Sequence, residues 1–126
     1  MSTEQPNTEG RVVWQDLTVE NAETVRDFYA QVVGWTPKDH DMGGYADYEM
    51  YPAGSDQCVA GICHARGTNA SIPPQWLLYV EVPDVAASAA TCAELGGTVL
   101  DGPRTMGAQQ FCVVQDPAGA VMALIG

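Results

Sequence analysis

Val12-Val13-Trp14-Gln15-Asp16-Leu17-Thr18-Val19, then Glu20-Asn21, then Ala22 to Val33, closed by Gly34-Trp35, is the stretch that decides the fold. Its opening residues alternate. Val13, Leu17 and Val19 fall on one face of a strand, and Trp14, Asp16 and Thr18 on the other. Asn21 is a predicted N-cap. Beyond it Val25, Phe28, Tyr29, Val32 and Val33 recur at helical spacing and predict one apolar stripe. Gly34 supplies the stop. The same strand-to-helix switch returns in the second half. Trp76-Leu77-Leu78-Tyr79-Val80-Glu81-Val82 is followed by Pro83, by Asp84 as a cap, and by the stripe Val85, Ala89, Cys92 and Leu95. Gly96-Gly97 ends that helix.

Between and after these units the pattern is of short strands. A second strand starts at Trp35 to Pro37, and 38–44 reads as a polar loop. In 45–51, Tyr45, Asp47, Glu49 and Tyr51 face one way, and Ala46, Tyr48 and Met50 the other. A turn at Pro52 leads to a return strand over 58–64. Residues 65–75, with Gly67 and Pro73-Pro74, read as a linker. After the second helix come a short strand at 98–100, a loop at 103–108, a strand at 110–115, the tight turn Asp116-Pro-Ala-Gly119 and a last strand at 120–125. The order is β-α-β-β-β twice. Repeated units that cannot bury their apolar faces alone pair up. The expected architecture is α+β: two βαβββ modules, 11–67 and 76–126, forming a curled mixed sheet around a cavity. One helix lies on the outer side of each, and residues 1–10 are a flexible tail.

A chain of 126 residues reads as a single domain. It has no apolar run near the ~20 residues that a membrane span needs. The start lacks the basic and apolar regions of a secretory signal, so a cytoplasmic location is expected. Five basic against sixteen acidic residues give a net charge of -11. That field repels phosphate backbones and anionic lipid, which argues against nucleic-acid and membrane partners, and it suits a cationic ligand. Cys58, Cys63, Cys92 and Cys112 form no CxxC pair and complete no zinc-finger spacing, which fits reduced thiols.

Four stretches together resemble the vicinal oxygen chelate superfamily of glyoxalase I, bleomycin resistance proteins and extradiol dioxygenases, in its glyoxalase-like branch. They are Asp16-Leu-Thr-Val-Glu-Asn leading to Asp27-Phe-Tyr; Val33-Gly34-Trp35; Val82-Pro-Asp-Val85 leading to Glu94-Leu-Gly-Gly97; and the Asp116-Pro-Ala-Gly119 turn before an apolar strand. They span residues 11–126. In that family a divalent metal is held by His and carboxylate side chains on the first and last strands of each module, where it polarises vicinal substrate oxygens. Carried over one at a time, the ligand positions fall on Trp14, near Gly61, on Leu77 and on Ala123. None has a donor side chain. The resemblance therefore implies the fold without the family metal site, and no cofactor is expected. A divalent ion would need displaced ligands from Asp16, Glu49, His64 and Glu81.

On the strand faces, Asp16 and Thr18 share the side of Trp14, and Tyr79 and Glu81 share the side of Leu77. A carboxylate in an apolar pocket can serve as acid or base, and Asp16 is the candidate catalytic group. His64 paired with Asp16 is a candidate acid–base couple. His40 in Asp39-His40-Asp41 reads as a solvated loop. The aromatic set Trp14, Tyr45, Tyr48, Tyr79 and Phe111 divides between core and ligand stacking. Three readings follow. The first is a metal-independent binder of a small cationic or aromatic molecule, with Trp14, Asp16, Thr18, Tyr45, Glu49, His64, Leu77, Tyr79, Glu81, Phe111 and Ala123 lining its site. The second is a lyase, isomerase or dioxygenase with displaced metal ligands or metal-free acid–base chemistry. The third is a partner protein whose cavity has closed. A homodimer is expected, because exposed sheet edges need covering.

Overall fold

The computed structural model describes residues 8–126. The first seven residues of the expected tail lie outside the described residues. The elements are β1 (Val12–Val19), α1 (Ala22–Val32), β2 (Thr36–Asp41), β3 (Ala46–Tyr51), β4 (Ala60–His64), β5 (Trp76–Glu81), α2 (Val85–Glu94), β6 (Thr98–Met106), β7 (Gln109–Gln115) and β8 (Val121–Ile125). A short 3-10 turn occupies Gly67–Asn69. The twofold β-α-β-β-β order of the sequence is present. The chain divides into two compact units, one of residues 14–78 and one of residues 79–126 with the N-terminal stretch up to residue 13.

In the 14–78 unit the strands run in the order β2-β3-β4-β1. β1 and β4 are parallel, and the other pairs are antiparallel. One face carries α1. Leu17, Ala22, Tyr48, Met50, Ala60 and Ile62 form the core between them, with Val25, Tyr29, Trp35 and Trp76 packed at its margin. The Trp76 indole N–H donates to the Tyr29 hydroxyl at 3.1 Å, so even the polar tips in this cluster are satisfied. Three expectations need correction. Asn21 makes no side-chain cap bond. Of the predicted stripe, only Val25 and Tyr29 turn inward, while Phe28, Val32 and Val33 are exposed. The polar loop expected over 38–44 is mostly strand. Thr36–Asp41 pairs along its length with β3, and an edge strand facing solvent needs no apolar alternation. Residues 65–75, the expected linker, fall within this unit.

In the other unit the order is β5-β8-β7-β6, with β5 and β8 parallel. Val85, Ala89, Cys112, Val114 and Leu124 form the core under α2. Asp84 caps α2 as expected, accepting from the Ala87 N–H at 3.0 Å. Leu95, the last residue of that predicted stripe, is exposed. β6 is longer than the short strand predicted at 98–100. It takes in residues 103–106 of the loop expected at 103–108, with two register shifts against β7, between Val99 and Asp101 and between Asp101 and Arg104. The start of the chain is tied down: the Gly10 N–H donates to the Glu81 carbonyl at 2.6 Å, and the Glu81 N–H donates to the Arg11 carbonyl at 3.0 Å.

Candidate functional site

The face of the 14–78 sheet turned away from α1 collects the polar side chains. Register decides which of them meet, because residues directly opposite on paired strands point to the same side. Lys38 pairs with Glu49, Glu49 with Gly61, and Gly61 with Asp16, so these four make one row across β2, β3, β4 and β1. His40 pairs with Asp47, and Thr18 with Cys63, one step along.

Asp16 is the centre of the first row. The Trp14 indole N–H donates to its Oδ1 at 2.7 Å. The same oxygen lies where a Cβ on Gly61 would be, so the absent side chain of Gly61 is what seats the carboxylate. Both Trp14 and Asp16 are half-buried. Further along the row the Tyr51 hydroxyl donates to Glu49 Oε1 at 2.7 Å, and His40 Nδ1 lies 3.0 Å from Glu49 Oε2. These contacts, the Tyr51 bond first, hold the Glu49 carboxyl below its ordinary pKa, while the bond to Glu49 pushes Tyr51 up to about 12. Glu49 is therefore a fixed negative charge.

In the second row Asp47 is 7% exposed and accepts the His64 backbone N–H at 2.8 Å. Its Oδ1 is 3.3 Å from His64 Nδ1. His64 is thus partnered by Asp47, not by the Asp16 expected from sequence, and the ring packs edge-on to Tyr45 at 5.6 Å. Burial pushes the Cys63 thiol well above the usual cysteine range, and the negative charges of Asp16 and Asp47 push it further. It is a neutral donor to Asp47, not a nucleophile.

Cys112 is raised as well, to about 11, by burial and by Cys92. A group whose folded pKa is raised stabilises the fold fully below its unfolded value, and that stability is lost as pH climbs through the folded value. For Cys63, Cys112 and Tyr51 the loss begins at the unfolded values, about 8.5 for cysteine and about 10 for tyrosine. Glu49 has the opposite sign, with stability lost as pH falls through the carboxylate range. Urea midpoints should therefore decline steadily above about pH 9. A midpoint unchanged from neutral pH to pH ~10.5 refutes this coupling.

The other expected site residues each have contacts of their own. Tyr48 is in the core beneath α1, with the Arg26 guanidinium 4.6 Å from its ring centre. Tyr45 is covered by the Arg66 guanidinium at 3.8 Å. Glu81 receives the Thr8 hydroxyl, so its carboxylate holds the N-terminal segment. Leu77, Tyr79, Phe111 and Ala123 are all buried. Tyr79 and Phe111 stack with ring centres 5.6 Å apart, Arg104 lies 4.9 Å over Phe111, and Asp101 holds Arg104 at 3.0 Å. Thr18 is 5% exposed and lines a pocket at the end of β1.

Sequence reasoning passed over Asp47, Cys63 and Tyr51 as site groups. The alternation in 45–51 already put Asp47 and Tyr51 beside Glu49, but only the β3–β4 and β1–β4 registers bring them to Asp16.

Among the described residues, no three His, Cys, Asp or Glu side chains are grouped to hold a metal ion. Trp14, Gly61, Leu77 and Ala123, the positions to which the resemblance points for the family ligands, carry no metal-ligating side chain. At Trp14 an N–H points at the nearest carboxylate, so this residue set does not fit the family ion.

The family model of the Glyoxalase/Bleomycin resistance protein/Dioxygenase superfamily matches residues 11–124. The CFP32 protein of Mycobacterium bovis is 29% identical over 120 residues, 94% of this chain and 45% of that protein. An anthracycline biosynthesis protein of Streptomyces peucetius, DnrV, is 29% identical over 92% of this chain and 41% of that protein. The chain thus spans less than half the length of the curated relatives it matches. A superfamily member from Vibrio splendidus shares the fold, with a TM-score of 0.56 and 12% identity over 89% of this chain and 95% of that one.

Proposed function

The chain belongs to the Glyoxalase/Bleomycin resistance protein/Dioxygenase superfamily, and within it we propose a metal-independent binder of a small, flat, cationic molecule. The ligand is taken on the face of the 14–78 sheet turned away from α1. The observation that carries this reading is the Trp14–Asp16 couple: an aromatic ring and a carboxylate joined at 2.7 Å and aimed across Gly61. A ring wall beside a carboxylate suits a planar cation, through stacking and a charge-assisted bond. Glu49, held negative by Tyr51 and His40, adds to that field. A net charge of -11 draws cations in from solution. The likeness to a protein of anthracycline biosynthesis supports an aromatic ligand class.

A fluorescence titration with an anthracycline tests it. Asp16→Asn keeps an acceptor for the Trp14 indole but removes the charge. It should weaken binding about thirtyfold, the effect of losing a charge-assisted bond of about 2 kcal/mol. Affinity unchanged by that substitution, or no binding of any planar cation, overturns the reading. Asp47 fixes one nitrogen of His64, which leaves the other free as a base, so metal-free acid–base catalysis is the second reading. New product masses accumulating in the same titration mixtures would favour it.

We infer also that the protein is cytoplasmic and pairs with a second copy. All four cysteines are free thiols, which suits a reducing compartment. Phe28 and Val32, four residues apart on one side of α1, and the neighbouring Val33 are each more than half exposed, an apolar patch that a partner would cover. Sedimentation equilibrium giving a monomer at micromolar concentration counts against pairing.

A further inference from the structure

A pocket of about 420 Å³ opens at the edge of the 14–78 sheet, where the start of β2 meets the end of β3 and the turn that follows. Thr36, Lys38 and Tyr51 line it from the strands, Ser55 and Asp56 from the turn, and Pro37 and the Tyr51 ring supply apolar surface. Its hydroxyls are set in advance. The Tyr51 hydroxyl donates to Glu49 Oε1 at 2.7 Å, so toward the pocket its oxygen can only accept. Ser55 Oγ accepts the Gln57 N–H at 3.1 Å, which leaves its own hydrogen to donate. The turn is closed by the Ser55 N–H on the Pro52 carbonyl at 3.0 Å. Gly54 within it takes a φ of +74°, and nothing lies within 4 Å of where its Cβ would stand, so the pocket is open there.

The charged groups of the lining are one of each sign, Lys38 and Asp56. Lys38 forms no ion pair among the described residues. A simple cation is opposed by Lys38. A simple anion is opposed by Asp56 and by the net charge of -11. A neutral molecule with several hydroxyls meets every group: it donates to Asp56 and Tyr51 and accepts from Lys38 and Ser55. The volume lies in the range of small-ligand sites, ~300–1,000 Å³. We propose that this pocket binds a neutral pyranose ring, its hydroxyls on Lys38, Tyr51, Ser55 and Asp56 and its C–H face against Pro37. The ring is either a free sugar or part of a larger molecule. Lys38 stands in the row Lys38–Glu49–Gly61–Asp16, three strand spacings or about 14 Å from Asp16, so a larger molecule can reach the Trp14–Asp16 couple along the same face. The pocket's own residues define the sugar site, whichever source supplies the ring.

The test is an NMR titration of the 15N-labelled full chain with the methyl glycosides of D-glucose, D-galactose and D-mannose. At least one should shift amides within 36–38 and 51–57 with a millimolar dissociation constant. Glucuronate sets a carboxylate against Asp56 and should bind at least about threefold more weakly than the neutral sugar. Ser55→Ala and Lys38→Met change exposed side chains, so the fold is kept, and each should weaken sugar binding about fivefold. The 4-methylumbelliferyl glycoside of the sugar that binds separates the two sources. Binding at least about tenfold tighter, with a shift of the Trp14 indole N–H, assigns the ring to a larger ligand; equal affinity assigns a free sugar. The proposal is overturned if no glycoside at about 100 mM moves these amides. It is equally overturned if glycerol moves them as far, if glucuronate binds as tightly, or if both variants bind the sugar unchanged.

Discussion

Phe111→Ala should lower the free energy of unfolding by about 3–5 kcal/mol, the largest single-residue effect expected in the chain. Phe111 has no exposed surface and sits on β7 between β6 and β8, opposite Arg104 and Ile125. Its ring stacks on Tyr79 and lies under the Arg104 guanidinium. Truncation removes the aromatic pairing, strands the Arg104–Asp101 ion pair over a void, and leaves a cavity that backbone-paired strands cannot close. For a domain of this size the melting temperature should fall by roughly 10–20 °C. Phe111→Leu keeps most of the volume and should cost less than half as much. A loss below about 1 kcal/mol for the alanine variant would show that the ring is not a packed element of this unit.

The strand-helix repeat was legible because both openings obey the two simple periods. Alternation put Leu17 with Val19, and Trp14 with Asp16, and the structure keeps both groupings. Edges were legible only at their start. Thr36–Asp41 is a strand only because β3 offers it a ladder; its own polar residues carry no period-two signal. Along α1, apolar spacing marked a stripe, but spacing cannot say how wide a strip the sheet covers, and Phe28 and Val32 fall outside it. The site divides in the same way. Trp14 and Asp16 are two apart on one strand, so their meeting follows from local geometry. The Asp47–His64 contact depends on how β3 registers against β4, a long-range fact that no local pattern encodes. Glu81 lay on the expected face of β5, yet its carboxylate is engaged by Thr8, from a segment whose pairing the sequence did not mark.

Gly61→Ala should cost about 2–4 kcal/mol, although it adds only one methyl group. The added Cβ would fall on Asp16 Oδ1 and lie 3.2 Å from its Cγ. Asp16 cannot yield freely, because the half-buried Trp14 indole holds that oxygen at 2.7 Å. If the carboxylate swings away, the indole N–H loses its partner, at about 1–3 kcal/mol. If it stays, β1 and β4 must part along the Asp16–Gly61 and Leu17–Ile62 register that carries the core. Either route also dismantles the proposed ligand seat, so anthracycline affinity should drop more than tenfold. A double-mutant cycle separates this cause from general overpacking. Asp16→Ala removes the carboxylate that the new methyl strikes, so Gly61→Ala in that background should cost at least ~1.5 kcal/mol less than it does alone. Equal costs in the two backgrounds would mean that the methyl meets something other than Asp16. The carboxylate would then owe its place to its own contacts and not to the gap at Gly61, and Gly61 would be a packing residue with no part in the site.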